Sequence, residues 1–302
     1  MATIATTAIT AQRWNEAEAL VAPRSFFDEA RTRFLRNKTG LVALAVLMVL
    51  ILSAVCAPLI TKENPLVGAA SQRLLPVGAP GHPLGTDEQG RDMFARLLYG
   101  GRLSLTAGLA PVLISAVIGT LLGALSGYSG GWTGSALMRL MDMFYAFPPI
   151  LLAIAVAASL GPGLTSVIIS LSVVRIPTIA RVAEAATRKV MVVEYIEAAK
   201  LSGANTFQVL GSQLLLNIFN PIFVYVSSLV GLSIIIAASL SFLGLGPRPP
   251  APEWGYMLNS LRGSIYVNPW VAALPGVFIF ATSIAFNMLA DAIRDSLDVK
   301  EA

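Results

Sequence analysis

Long apolar runs separated by shorter polar segments dominate the amino-acid sequence. Residues 40–60 contain no charged side chain, and an α-helix needs about 20 such residues to cross a bilayer. Further predominantly apolar segments lie at 103–127, 136–160, 164–180, 218–243 and 271–290. The pattern therefore predicts an all-α, polytopic membrane protein with six transmembrane helices. Because the first run begins late and is long, we expect a retained span rather than a cleaved signal peptide.

The composition agrees with this pattern and excludes other classes of protein. Hydrophobic residues make up 55% of the 302 positions and charged residues only 13%, whereas soluble proteins carry about 25% charged residues. Cys56 is the single cysteine and His82 the single histidine, so the sequence predicts neither an internal disulfide nor a zinc site. We expect membrane lipid around the spans and no nucleic-acid partner.

The distribution of positive charge predicts how the spans are oriented. With a cytoplasmic N-terminus, six spans place residues 128–135, 181–217 and the C-terminus inside the cell. Of the 21 lysine and arginine residues, fourteen then lie on the inner side, if Arg139 and Arg175 at the cytoplasmic ends of their spans are included, in agreement with the positive-inside rule. Residues 91–99, at the end of the first outer loop, show an amphipathic helical pattern. We expect them to form a helix that lies along the membrane interface.

The predicted organisation of the chain has five consecutive parts. They are a cytoplasmic N-terminal arm (1–39), the first transmembrane helix (40–60), an extracytoplasmic loop with the interfacial helix (61–102), a five-helix core (103–291) and a cytoplasmic C-terminal tail (292–302). The core contains one large cytoplasmic loop at 181–217, between the fourth and fifth spans.

Few ionisable side chains fall inside the predicted spans. Asp142 and Arg175 do so, both near the cytoplasmic end of a span. We expect Asp142 to pair with Arg139 three residues earlier rather than to relay protons. Arg175 is expected to extend its side chain to the inner interface. In the outer loops, we expect His82 to be solvated, and the proline-rich stretch before Trp254 to be a structural cap.

The cytoplasmic loop at 181–217 is the most informative part of the sequence. It reads RVAEAATRKVMVVEYIEAAKLSGANTFQVLGSQLLLN. Good helix formers surround Glu197, and Gly203 provides a position where the backbone can reverse or approach another group closely. A second short helix, at about 206–216, then leads back to the membrane. A projecting helix, turn and helix can fit a groove on a partner, but a solvated amphipathic hairpin explains the composition equally well.

A resemblance to a known family favours the first interpretation. The string EYIEAAKLSGAN resembles the EAA loop of permease subunits of bacterial ABC importers. In that family the loop docks into the ATPase subunit. The resemblance implies this ATPase-coupling role for Tyr195, Glu197, Ala198, Ala199, Lys200, Leu201, Gly203, Ala204 and Asn205. The family pattern continues with Ile, any residue, Leu and Pro, where this chain has Gln213, Leu215 and Leu216 at the specified places.

Five further strings extend the resemblance over nearly the whole chain after residue 30. All are similar to the C-type permease of dipeptide, oligopeptide, nickel and glutathione importers. They are FLRNKTGLVALAVL at 34–47, HPLGTDEQGRDMFARLLYGGRLSL at 82–105, MRLMDMFYAFP at 138–148, SLSFLGLGPRPPAPEWGYML at 239–258 and FNMLADAIRDSLD at 286–298. The resemblance implies the type I ABC importer permease fold in the bacterial inner membrane. It also implies a homologous B-type permease as partner, two ATP-binding subunits and an extracytoplasmic substrate-binding protein.

The sequence therefore predicts a transport subunit rather than an enzyme. No lysine is preceded by the Gly-x-x-x-x-Gly of a Walker A motif, so we expect no cofactor on this chain and ATP-Mg on the partner ATPase subunits. The predicted function is to form half of the translocation pathway for peptides or a related small solute. Glutathione, nickel and other cargo stay open.

Two other classes of function are less well matched by the sequence. A secondary transporter or channel is the main alternative, although membrane carboxylates and paired interrupted spans are scarce. An intramembrane enzyme would need catalytic motifs, and the metalloprotease motif HExxH does not occur.

Overall fold

The structure of the chain is a computed structural model, which describes residues 26–205 and 208–297. Its α-helices are α1 (Phe26–Arg36), α2 (Lys38–Val55), α3 (Ala57–Ile60), α4 (Met93–Ser129), α5 (Gly131–Tyr145), α6 (Pro149–Leu160), α7 (Leu164–Met191), α8 (Glu194–Leu201), α9 (Leu215–Phe242), α10 (Trp254–Leu261) and α11 (Pro269–Leu297). A π-helix, Val209–Leu214, directly precedes α9. These residues contain no β-strand, which confirms the all-α prediction. Residues 1–25 of the predicted arm and 298–302 of the predicted tail lie outside the described residues.

The number of membrane spans agrees with the prediction, but one span is broken. Within 26–205 and 208–297, five helical segments are long and apolar enough to cross a membrane, and six if the bent pair α5 and α6 is counted as one. These two helices meet at an angle of 86°. Pro148 precedes α6 and Pro149 is its first residue. Because proline lacks an N–H group and clashes with the preceding turn, α5 cannot continue through this pair.

Helix α4 differs most from the prediction. It has 37 residues, about 55 Å at 1.5 Å per residue, which exceeds the hydrocarbon thickness of about 30 Å. The residues predicted to form a separate interfacial helix at 91–99 are mostly its first turns. The Asp92 carboxylate caps this helix by accepting a hydrogen bond from the Ala95 N–H (2.7 Å). The Leu97 carbonyl accepts one from the buried Trp254 indole (2.9 Å), so these turns are held inside the protein.

Small residues bring the core helices close together. Gly119, Gly123 and Gly127 repeat every fourth residue on the face of α4 that packs against α7. A Cβ on Gly123 would lie 2.2 Å from the Ala180 carbonyl oxygen. The two helices run parallel, since Gly119 faces Ile179 while Gly127 faces Thr187. This is the close backbone contact that small residues allow between membrane helices.

The helix contacts also define two ends of the molecule. The loop between α7 and α9 lies at one end, where residues from the end of α7, the start of α9 and the end of α11 line a recess that includes Lys189, Asn220 and Arg294. Gly40, near the start of α2, lies against Ala292 near the end of α11. The segment before α4, residues 61–92, is at the opposite end, where α2 also ends.

The segment at this opposite end is folded around buried charges, which corrects the prediction of a solvated His82. His82 is buried, and its Nδ1 lies 2.8 Å from Asp92 Oδ2. The carboxylate of Asp87 lies between two buried guanidinium groups, with Oδ2 2.6 Å from Arg91 Nε and 3.2 Å from Arg96 Nε. These residues are withdrawn from water because the segment folds over the start of α4.

The proline-rich stretch ends in a second buried group. Glu253 caps α10 by accepting a hydrogen bond from the Tyr256 N–H (2.8 Å), and the Ser104 hydroxyl donates to its other oxygen (3.1 Å). Burial raises the pKa of the Glu253 carboxyl above its ordinary value. Because both Glu253 and Trp254 are buried, these two side chains join α10 to α4 and have the structural role that the sequence predicted.

Candidate functional site

The loop predicted to couple to an ATPase is a short helix followed by a sharp turn. Helix α8 is held to the rest of the chain by Ile196, whose side chain is fully buried. The helix ends where the Ser202 N–H donates a hydrogen bond to the Ala198 carbonyl (3.0 Å). Gly203 then adopts a φ of +84°, a left-handed conformation that glycine takes at low cost. Of the two roles predicted for Gly203, the structure shows the backbone reversal.

Two reciprocal hydrogen bonds cap the start of the segment that leads from the turn back to α9. The Gln208 N–H donates to Asn205 Oδ1 and the Asn205 N–H donates to Gln208 Oε1, both at 2.9 Å. This arrangement is a capping box, which satisfies two N–H groups at a helix start. Leu216, at the place where the family has proline, is the second residue of α9. The helical path therefore continues through this position without a break.

The tip of the loop exposes several large apolar side chains. Val192 and Leu201 are each 84% exposed, and Val193 and Tyr195 are also exposed. Glu197 is exposed beside Val192 and Val193 in a shallow recess. Ala198 and Asn205 are exposed and Ala204 is half-buried, while the side chains of Ala199 and Lys200 lie outside the described residues. Large apolar groups concentrated at the tip of a projecting loop indicate a surface that another protein covers.

The loop connects directly to two core helices. It begins at the end of α7 and leads, through the π-helix, into α9. At the loop end, both helices extend beyond the predicted spans 164–180 and 218–243.

A cavity that is partly open to the surface of the chain lies where α5 and α6 meet α7 and α9. Its volume is about 250 Å³, and most of its lining is apolar or aromatic. The polar groups that line it belong to Tyr145, Arg175, Thr178 and Tyr225. Binding sites for small molecules commonly combine an apolar wall with a few polar groups.

The position of Arg175 differs from the prediction of a side chain that extends to the interface. Arg175 is only 7% exposed, and it lines the cavity. Its Nε and Nη2 atoms are buried and have no hydrogen-bond partner within 26–205 and 208–297. Helix α7 continues to Met191, so Arg175 lies near the middle of the helix and its side chain turns into the cavity.

The predicted partner of Asp142 was also wrong. Asp142 forms an ion pair with Arg181 of α7, rather than with Arg139 on its own helix. The pair joins α5 to α7 near the loop end of the bundle. Packing of these two helices brings together residues that are 39 positions apart, which the local spacing of charges could not indicate.

The sequence did not identify the cavity itself. Tyr145 and Tyr225 come from different helices, and no spacing in the chain relates them. The one signal was the presence of an arginine within a span. Within residues 26–205 and 208–297, no three His, Cys, Asp or Glu side chains are grouped to hold a metal ion.

Comparison with known proteins relates almost the whole chain to transport permeases. Residues 119–300 match the family described as binding-protein-dependent transport system inner membrane component. Residues 25–76 match the N-terminal TM domain of oligopeptide transport permease C. The chain is 42% identical over 277 residues to the glutathione transport system permease protein GsiD of Pectobacterium atrosepticum, with 92% of each chain covered.

Further relatives carry the same description. The chain is 43% identical over 277 residues to GsiD of Salmonella typhimurium, with 92% of this chain and 91% of the relative covered. It is 47% identical over 219 residues to GsiD of Escherichia coli O157:H7, with 72% of each chain covered. All three relatives are described as permease proteins of a transport system.

Proposed function

Because the chain belongs to the inner-membrane permeases of binding-protein-dependent ABC importers, in the oligopeptide permease C group, we propose that its 194–205 loop is the docking point for the ATPase subunits. The chain is a multi-pass inner-membrane protein, and importers of this family work with ATPase subunits and a binding protein. The observation that carries the proposal is the exposed apolar tip of the loop. Val192 and Leu201 there have 84% of their surface open to solvent.

The shape of the loop suits the transmission of force. Ile196 is buried and fixes α8 against the body of the chain, while the residues around it project outwards. The turn at Gly203 and the capping box at Asn205 lead back to α9 within a few residues. A partner that moves α8 therefore moves α7 and α9 with it.

The proposed mechanism is a switch between two states of the central cavity. Closure of the ATPase subunits on ATP-Mg moves the loop, and α7 and α9 then open the cavity to one side of the membrane or the other. Such a switch requires that the nucleotide state favour one arrangement of the loop, since a ligand with equal affinity for both states shifts nothing. The ATP-Mg is held by the partner subunits.

The rest of the assembly and the orientation follow from the family. We propose a homologous B-type permease as the second half of the pathway, two ATPase subunits and an extracytoplasmic binding protein. The loop then faces the cytoplasm. Both ends of the described chain, at α1 and at the end of α11, lie at the loop end, which supports a cytoplasmic side for the N- and C-termini.

A peptide-like solute is the proposed cargo. The oligopeptide family and the glutathione permeases that the chain resembles both act on small molecules with peptide character. Glutathione is therefore the first solute to test.

Reversing the charge of Glu197 tests the docking surface. We expect Glu197→Lys to lower ATP-dependent uptake roughly tenfold, because a charge misplaced in a protein interface commonly costs more than 1.4 kcal/mol. The amount of permease in the membrane should not change, since Glu197 is exposed. Uptake is measured in proteoliposomes that contain the whole importer, and recovery of the ATPase subunits with the tagged permease is measured in parallel.

The matched control is Asp28→Lys. Asp28 is an exposed acidic residue on α1, which packs against α2 and α11 rather than against the loop. This control should keep normal uptake. Normal uptake by Glu197→Lys would contradict the proposed docking surface. Uptake that ignores ATP and follows a proton or sodium gradient would instead identify a secondary transporter.

A further inference from the structure

We propose that Arg175 binds a carboxylate group of the transported solute inside the cavity between α5, α6, α7 and α9. This proposal rests on the proposed function, since it places the solute in the pathway of the permease. The proposal adds two points to that function. Arg175 is a residue that contacts the solute, and it selects solutes that carry a carboxylate group.

The first argument is the position of the charge. Arg175 is the twelfth of the 28 residues of α7, which places it about 17 Å from one end of the helix and about 24 Å from the other. A side chain near the middle of a span cannot reach the lipid headgroups. Charged residues at such depth are costly and commonly mark the path of a substrate or an ion.

The second argument is that the guanidinium group lacks a partner. Among the residues that the structure describes, its Nε and Nη2 are buried without a hydrogen bond, and no acidic side chain lines the cavity. The nearest acidic residue along the neighbouring helix α5 is Asp142, which is already paired with Arg181. A buried charge without a partner is unfavourable unless a ligand completes it.

The third argument is the chemistry of the cavity. The planar guanidinium group can donate two parallel hydrogen bonds to a carboxylate, which a lysine cannot do. Tyr145 and Tyr225 add hydroxyl groups, and the remaining wall is largely apolar and aromatic. A site of this kind holds a carboxylate at one point and accepts varied side chains elsewhere, as a peptide-like solute requires.

The volume of the cavity is consistent with half of a binding site. At about 250 Å³ it is slightly below the range of about 300–1,000 Å³ for small-molecule sites. A second permease would supply the other half. That permease could also supply a carboxylate of its own, and the experiment must therefore separate the two sources.

The experiment compares four permeases in the assembled importer, reconstituted with its binding protein in proteoliposomes. They are wild type, Arg175→Met, Arg175→Lys and the control Arg139→Met, which removes an exposed charge from α5. The probes are radiolabelled glutathione and the dipeptide alanylalanine. ATP-dependent uptake and ATP hydrolysis are measured together, and the same binding protein is used throughout, so its selectivity is constant.

We expect Arg175→Met to lower uptake about tenfold or more, which is the range for a lost hydrogen bond to a charged group. ATP hydrolysis stimulated by the binding protein should stay within about twofold of wild type, since the docking loop is intact. Arg175→Lys should give an intermediate rate because it keeps the charge but loses the planar pair of donors. Arg139→Met should match wild type. Normal uptake by Arg175→Met would overturn the proposal.

A binding measurement identifies the source of the carboxylate. Saturation-transfer NMR on the importer without binding protein compares glutathione with its diethyl ester, in which both carboxylates are masked. We expect glutathione to bind wild type and not Arg175→Met, and the ester to bind neither. Glutathione and its diethyl ester could instead bind wild type equally, while Arg175→Met no longer associates with the partner permease. That result would show that Arg175 pairs with a carboxylate of the partner permease, and it would overturn the proposal.

Failure of the proposed function gives a different result. If the wild-type importer takes up neither probe, or lacks ATPase subunits after purification, the function proposed above is wrong. If wild-type uptake is normal and Arg175→Met is also normal, only the carboxylate site is wrong.

Discussion

Replacing Asp87 with alanine is expected to lower the free energy of unfolding of the permease by about 3–5 kcal/mol, the cost of breaking a buried ion pair. The Asp87 carboxylate is the shared partner of Arg91 and Arg96, and all three side chains are at least 96% buried. Its other oxygen accepts hydrogen bonds from the N–H groups of Gln89 (2.8 Å) and Arg91 (3.0 Å). Without Asp87, two guanidinium groups remain buried with no opposing charge.

The measurement is unfolding of the purified permease in mixed micelles of a mild detergent and dodecyl sulfate. Glu63→Ala is the control, because Glu63 is an exposed acidic residue of the same segment, and surface changes are usually within about 0.5 kcal/mol. The segment before α4 should also become more sensitive to proteolysis in Asp87→Ala. If Asp87→Ala lowers the free energy of unfolding by less than about 1 kcal/mol, water reaches the two arginines and the cluster is not buried.

Replacing Gly123 with leucine is expected to separate α4 from α7 and to cost about 3 kcal/mol or more, at the upper end of overpacking effects. The first atom of any side chain at this position would lie 2.2 Å from the Ala180 carbonyl oxygen and 2.6 Å from the Ala183 Cβ. The Ala180 carbonyl oxygen belongs to the backbone, so it cannot move away by a change of rotamer. The two helices would have to move apart along the row formed by Gly119, Gly123 and Gly127.

The same unfolding measurement checks this prediction, and Gly211→Leu is the control. Gly211 lies in the helical segment before α9, and a Cβ there would meet no atom within 4 Å. The control should change the free energy of unfolding by no more than about 1 kcal/mol, the scale of helix propensity. If Gly123→Leu and Gly211→Leu have equal effects, α4 and α7 are not in close contact in the folded protein.

Both predictions concern features that the sequence indicated only in part. The glycines at 119, 123 and 127 are visible in the sequence as a four-residue repeat, but the helix that they face is not. Asp87, Arg91 and Arg96 are close in sequence, and the prediction placed Asp87 in a polar extracytoplasmic loop and the two arginines in an interfacial helix. Their burial depends on residues 61–92 folding over the start of α4, a contact that no local pattern encodes.

The apolar runs by themselves determined the all-α class and the approximate position of each span, because crossing a bilayer imposes a minimum length of apolar helix. The string EYIEAAKLSGAN indicated the candidate docking loop through its resemblance to the EAA loop, whereas its helix formers and glycine by themselves predicted only a helix and a turn. The break between α5 and α6 also had a local signal, the pair Pro148 and Pro149, which the prediction of a single span overlooked.

Tertiary structure alone decided where the charges lie. Asp142 pairs with Arg181 across two helices, His82 is buried beside Asp92, and Arg175 lines a cavity with Tyr145 and Tyr225. For Asp142 and Arg175 the partner or the lining comes from another helix, and for His82 it comes from ten residues along the folded segment. The energy of a charge depends on which groups surround it and how far it is from water, and those surroundings exist only after the helices have packed.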